Sequence, residues 1–208
     1  MSVVLTSSAP RTVPKAPKKF GLLIMHMLDD GIDRTYAVGG THSCSSVPIG
    51  IQNLKKLISF AEERDIPVVF AVWSFSEFSD KPIASLLSLA QNNGVVFAHN
   101  MSDPFSNLAF KPLLESFGID TLIVGGFNRI QCVKDAVDGA LSYHFPVFTT
   151  DEIMFGVRHN FSSTFEYDPV ADVEYAIQYY RKKTNYFNSV DDLIHAVKLE
   201  MGIANAGS

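Results

Sequence analysis

The stretch that most constrains this chain runs from Gly118 to Asp151, GIDTLIVGGFNRIQCVKDAVDGALSYHFPVFTTD. A short, wholly apolar strand (Thr121 to Val124) leads through a Gly125-Gly126 turn to a helix opening near Gln131-Cys132, and a second buried strand follows from Pro146 to Thr149. Two buried strands joined by a helix read as a crossover unit, because parallel strands cannot be linked by a tight hairpin. The cysteine sits at the first turn of that helix. Unpaired N–H groups at a helix N-terminus favour a thiolate and can hold a developing oxyanion, so the position suits chemistry. The plain alternative is a buried, inert thiol, which is how most free cysteines behave.

The rest of the chain repeats the same alternation. Phe20 to Met27, FGLLIMHM, is an apolar run broken by His26, as expected of a central strand buried on both faces. Leu28-Asp29-Asp30-Gly31 ends it, and the loop to Val47 carries Gly39-Gly40, His42 and Cys44. Pro48 opens a helix to Glu63, with Ile51, Leu54, Leu57, Ile58 and Ala61 at helical spacing. Ile66 to Trp73 is the second strand, and its exit brings Phe75 and Phe78 to the same edge. A helix over 84–91, a strand over 95–99 and a helix over about 107–117 complete the approach to Gly118. After Asp151 come an aromatic loop with Phe155, His159, Phe161 and Phe165, and two helices, Pro169 to Thr184 and Val190 to Met201. Strands and helices in regular alternation predict an α/β fold, a doubly wound, mostly parallel sheet in a three-layer αβα sandwich. Such sheets bind ligands at the C-terminal ends of their strands.

Residues 1–19 hold three prolines and four basic side chains with little that can pack, and are expected to form a flexible arm ahead of one domain over 20–208. The formal charge of -5 argues against a general nucleic-acid binder. Cys44 and Cys132 belong to no CxxC pair or zinc-finger spacing, so neither a disulfide framework nor structural zinc is expected, and a reducing cytoplasmic setting is the default. No apolar run approaches the roughly 20 residues that span a bilayer. No cofactor motif is present.

The Gly118 to Asp151 stretch resembles the core of the isochorismatase-like cysteine hydrolases, whose pattern there is GIDxLxxxGxxTxxCVxxTAxxAxxxGxxVxxxxDA. GLLIMHMLDD is similar to that family's opening ALLVIDMQND, and the likeness covers roughly residues 20 to 155 in order. The resemblance implies a cysteine nucleophile at Cys132, an aspartate base at the position of His26 and a lysine at the position of His99. It also implies a cis peptide between Phe127 and Asn128, and Arg129 stands where the family often has threonine. The metal motif of the nicotinamidase branch is missing from AVWSFSEF. Members commonly associate, which implies a homo-oligomer.

Imidazole can replace both missing partners in principle: neutral His26 can take the thiol proton, and protonated His99 or Arg129 can favour the anion. Three readings remain open. The first is a hydrolase of a small amide, ureide or related compound, with Cys132, His26 and His99 catalytic and with Trp73, Phe75, Phe78, Phe127, Asn128 and Arg129 around the substrate. The second is a catalytically silent relative that binds a small molecule or a protein. The third is a metal held by His26, His99 and Cys132, with Asp29 as a further ligand.

Overall fold

A computed structural model describes residues 16–28, 37–39, 47–74, 81–157 and 169–203. In chain order the elements are β1 (Phe20–Met25), β2 (Ala37–Gly39), α1 (Val47–Glu63), β3 (Val68–Trp73), α2 (Ala84–Leu87), β4 (Gly94–His99), α3 (Phe110–Ser116), β5 (Thr121–Phe127), α4 (Cys132–Ser142), β6 (Val147–Thr149), β7 (Met154–Val157), α5 (Pro169–Lys183), β8 (Asn185–Tyr186) and α6 (Val190–Glu200). They build a mostly parallel sheet in the order β2-β7-β5-β1-β3-β4, with β6 beside β5 and β8 beside β6. Only β2 with β7 is antiparallel among these strand pairs. Among the described residues no helix is long and apolar enough to cross a membrane.

All six residues of β1 are buried, as its unbroken apolar run requires. Alternation along the strand then divides the core into two layers. Leu22 and Ile24 pack with Phe70 under Leu54, Leu57 and Ile58 of α1 and Leu193 and Val197 of α6. Leu23 and Met25 pack with Val69 under Leu114 of α3, Val133 and Val137 of α4 and Tyr180 of α5. The three-layer αβα sandwich expected from the sequence is therefore present. At α6, the Ser189 hydroxyl accepts from the Asp192 N–H at 3.1 Å, and Asp191 and Asp192 occupy the first turn. That cap explains why the helix starts where it does.

The sheet reverses its direction of growth at β1, which pairs with β3 on one side and β5 on the other. Met25 lies opposite Ala71 and Gly126, so the chain segments leaving β1, β3 and β5 emerge side by side. This is the switch point at which open α/β sheets place their sites.

Three local expectations change. Gly125 and Gly126 do not form the turn; both lie inside β5, which runs on to Phe127. Their lack of a side chain serves close approach instead, since a Cβ on Gly125 would stand 2.8 Å from Ile153 Cδ1. The helix expected over about 107–117 shortens to α3, with a separate 3-10 turn at Pro104–Ser106 ahead of it, and the helix over 84–91 shrinks to α2. Phe155, expected in a loop, is a fully buried residue of β7, and the space left by Gly50 of α1 admits its ring. β6 and β7 pair in succession with β5, separated by a 3-10 turn at Asp151–Ile153.

Candidate active site

His26 follows β1 directly, with φ 46, in the left-handed region that a non-glycine residue enters at a cost of roughly 1–2 kcal/mol. That turn aims its ring at the end of β4. His26 Nε2 and His99 Nε2 are 3.0 Å apart, and the residues are only 1% and 2% exposed. Trp73, at the end of β3, covers the pair: its ring stacks on His26 at 4.2 Å between centroids and lies 5.7 Å from His99. Phe97 flanks His99 on β4 at 6.2 Å. The ends of three neighbouring strands thus build one aromatic stack, with His26 after β1, Trp73 on β3, and His99 and Phe97 on β4.

Burial disfavours the charged form of both imidazoles. It lowers His26 from 6.5 to about 3, with His99 adding a smaller repulsion. His99 is lowered too, again by burial, and the Met101 backbone opposes the shift. Neither Nδ1 has a hydrogen-bond partner. Burial therefore works against the protonated His99 that the sequence offered beside Arg129, and favours two neutral rings.

Cys132 opens α4 and is 8% exposed. The peptide Phe127-Asn128 is cis, as the sequence resemblance implied, and it carries the chain from β5 into the turn before α4. The Asn128 carbonyl accepts from the Gln131 and Val133 N–H groups, both at 3.0 Å, and its side-chain oxygen accepts from the Ile130 N–H at 3.3 Å. Asn128 therefore organises the turn that presents the thiol. Burial pushes the Cys132 thiol from 9.0 up to about 11, against the backbone of Asn128 and with help from Asp135. Burial thus outweighs the helix N-terminus and favours the thiol form. No hydrogen bond joins Cys132 Sγ to either histidine.

Arg129 is 3% exposed; its N–H donates to the Phe155 carbonyl at 2.8 Å, and its guanidinium lies against Gly156, where a Cβ would meet Nε at 2.8 Å. The Tyr180 hydroxyl of α5 donates to the Arg129 carbonyl. Phe127 is partly buried in the core layer beneath α1 and α6. Sequence reasoning gave no role to Asp151, Tyr180 or Tyr186. Asp151 is 3% exposed and accepts from the Tyr186 hydroxyl at 2.6 Å; burial raises its carboxyl above the usual range, with Arg129 pulling it back. An aspartate ending an apolar strand was the only available signal, and its tyrosine partner lies 35 residues away.

Asp29, Phe75, Phe78, His42, Cys44, His159, Phe161, Phe165 and most of the N-terminal arm lie outside the described residues. Among the described residues no group of three or more His, Cys, Asp or Glu side chains could hold a metal.

No protein-family profile matches the sequence, and no match to a curated protein was found. Solved structures do match. A cysteine hydrolase from Pseudomonas syringae pv. phaseolicola superposes with a TM-score of 0.70 at 12% identity, covering 94% of this chain and 100% of that one. An isochorismatase-like hydrolase from Alkaliphilus metalliredigens gives 0.63 at 21% identity over 86% and 98% of the two chains. A ribonuclease from Caenorhabditis elegans gives 0.67 at 12% identity over 93% and 94%. The chain has the isochorismatase-like fold.

Proposed function

We propose that this protein is a cysteine hydrolase of the isochorismatase-like type, in which Cys132 attacks a small amide, ureide or related compound and the histidine pair moves the proton. The observation that carries this reading is the 3.0 Å Nε2 contact between two buried histidines at the C-terminal ends of β1 and β4, together with a helix-opening cysteine on the segment that leaves the neighbouring β5. A thiol at about 11 needs a base only at the moment of attack. Neutral imidazole suits that role, since it can accept the proton as the sulfur bonds to carbon and return it later. Trp73 supports the reading as the aromatic wall beside the base. On this reading the first N–H groups of α4, after the cis turn at Asn128, are the donors for the developing oxyanion.

The test is turnover of a panel of amides and ureides. Hydrolysis that disappears in Cys132→Ala while the variant stays folded supports the reading; hydrolysis that persists there sinks it. A second reading, a catalytically silent binder, draws on the absence of any hydrogen bond between Cys132 and the histidines. That reading fails on the same Cys132-dependent turnover.

A further inference from the structure

The two histidines constrain each other's protonation. A neutral imidazole has one N–H and one bare nitrogen. Across the 3.0 Å Nε2···Nε2 contact one ring must donate and the other must accept. The donor ring then keeps a bare Nδ1, and the acceptor ring carries its proton on Nδ1. Both Nδ1 atoms are buried and without a hydrogen-bond partner. The pair thus has two dissimilar outer ends, one basic and one proton-bearing. A buried polar atom without a partner costs roughly 1–3 kcal/mol, and this site leaves two of them at the ligand-binding edge of the sheet.

We infer that His26 and His99 form a two-ended proton relay, which takes a proton at the bare Nδ1 of one ring and delivers a different proton from the Nδ1–H of the other. This rests on the hydrolase reading above for its direction and extends it by making His99 a proton carrier. The steps balance. As the sulfur–carbon bond forms, the thiol proton goes to the bare Nδ1. The Nε2 proton crosses to the second ring, whose Nδ1–H protonates the leaving group as the carbon–leaving-group bond breaks. Both tautomers are now reversed. In the second half, water bonds to carbon and the carbon–sulfur bond breaks. The water proton enters at the far Nδ1, the Nε2 proton crosses back, and the near Nδ1–H restores the thiol. One cycle therefore returns the pair to its starting tautomers with no net proton held.

A single buried base would work without His99 as carrier, and a purely structural pair would simply fill the core under Trp73. Nitrogen-15 NMR of the histidine-labelled protein, assigned with His26→Gln and His99→Gln, tests the tautomer pattern that the relay requires without needing a substrate, and the kinetics of His99→Gln separate the relay from the other two cases. The expected result is one ring in the Nδ1–H form and the other in the Nε2–H form. Finding both rings in the same tautomer overturns the relay even if Cys132 proves catalytic. On a substrate that the wild-type protein turns over, His99→Gln is the second arm, because an amide can keep a hydrogen bond to His26 but cannot carry a proton through. The relay predicts a fall in kcat of about 10²-fold or more with little change in KM. It also predicts a solvent isotope inventory that changes from curved to linear. Wild-type kcat in His99→Gln overturns the relay and leaves the role of Cys132 standing, whereas turnover that survives Cys132→Ala overturns the hydrolase reading itself.

Discussion

Gly126 and Met25 are Cα partners on adjacent strands, and a Cβ on Gly126 would lie 2.2 Å from the Met25 carbonyl oxygen. The glycine also has φ +113, which L side chains rarely adopt. The nearest atoms are all Met25 backbone, which leaves no flexible side chain to yield. Met25 precedes His26, and Gly126 precedes Phe127 and the cis turn, so this contact sets the spacing between His26 and the turn that leads to Cys132. Gly126→Ala is expected to lose about 2–4 kcal/mol of stability, from steric overlap and the positive φ together. Urea unfolding measures it, and a loss below about 1 kcal/mol would contradict the packing described.

Folding should weaken in mild acid because of His26. Its folded-state pKa is lowered from 6.5 to about 3, so the unfolded chain binds the proton over that window and the folded chain does not. Stability from this group is full above pH 6.5 and is lost as the pH falls towards 3. At pH 4 the loss amounts to about 3 kcal/mol, from the two proton-binding equilibria. Comparing wild type with His26→Gln at pH 7 and pH 4 isolates it. The variant's unfolding free energy should fall less between the two pH values, and equal falls would show that His26 is not held neutral.

Much of this was legible from the chain because buried parallel strands write themselves as uninterrupted apolar runs. FGLLIMHM, IPVVFAVW and TLIVGG announce β1, β3 and β5, and their order implies a ligand edge at His26, Trp73 and Phe127. The short strands were hidden. β7 holds four residues, MFGV, and β8 two, so neither is long enough to repeat a readable alternation, and each pairs with a longer strand that offers it an edge. The polar supports were hidden for a different reason. Tyr180 reads as one aromatic on an amphipathic helix, and nothing local says that its hydroxyl meets a carbonyl 51 residues earlier. The place of Cys132 at a helix start was legible, but the burial that favours its thiol form was not. The helix terminus is a local feature, whereas the burial that outweighs it depends on how α4 is packed.

A resting thiol raised to about 11 should be sluggish towards alkylating agents. At neutral pH its thiolate fraction falls about 10²-fold below that of an ordinary cysteine with a pKa near 8.5. Iodoacetamide should therefore modify Cys132 at least that much more slowly than a free model thiol, with the rate climbing as the pH approaches 11. Peptide mapping of the alkylated protein separates Cys132 from Cys44. A rate equal to or above that of the model thiol would mean that the helix terminus outweighs burial, and that the site starts from a thiolate.

Tyr180 ties the far helix layer to the turn that carries the site. Its side chain is 1% exposed, and its hydroxyl donates to the Arg129 carbonyl between the cis peptide and Cys132. Removing the hydroxyl leaves that buried carbonyl without this donor, which costs about 1–3 kcal/mol, whereas the ring itself stays packed in Tyr180→Phe. Because the lost bond anchors residues 127–132, the variant should also affect turnover more than a core substitution of similar cost elsewhere. Leu193→Ala of α6 is a suitable control, since Leu193 packs in the opposite core layer. The expected pattern is a lower kcat per folded molecule in Tyr180→Phe and an unchanged kcat per folded molecule in Leu193→Ala. Equal effects on kcat would mean that Tyr180 contributes to stability alone and does not position the turn.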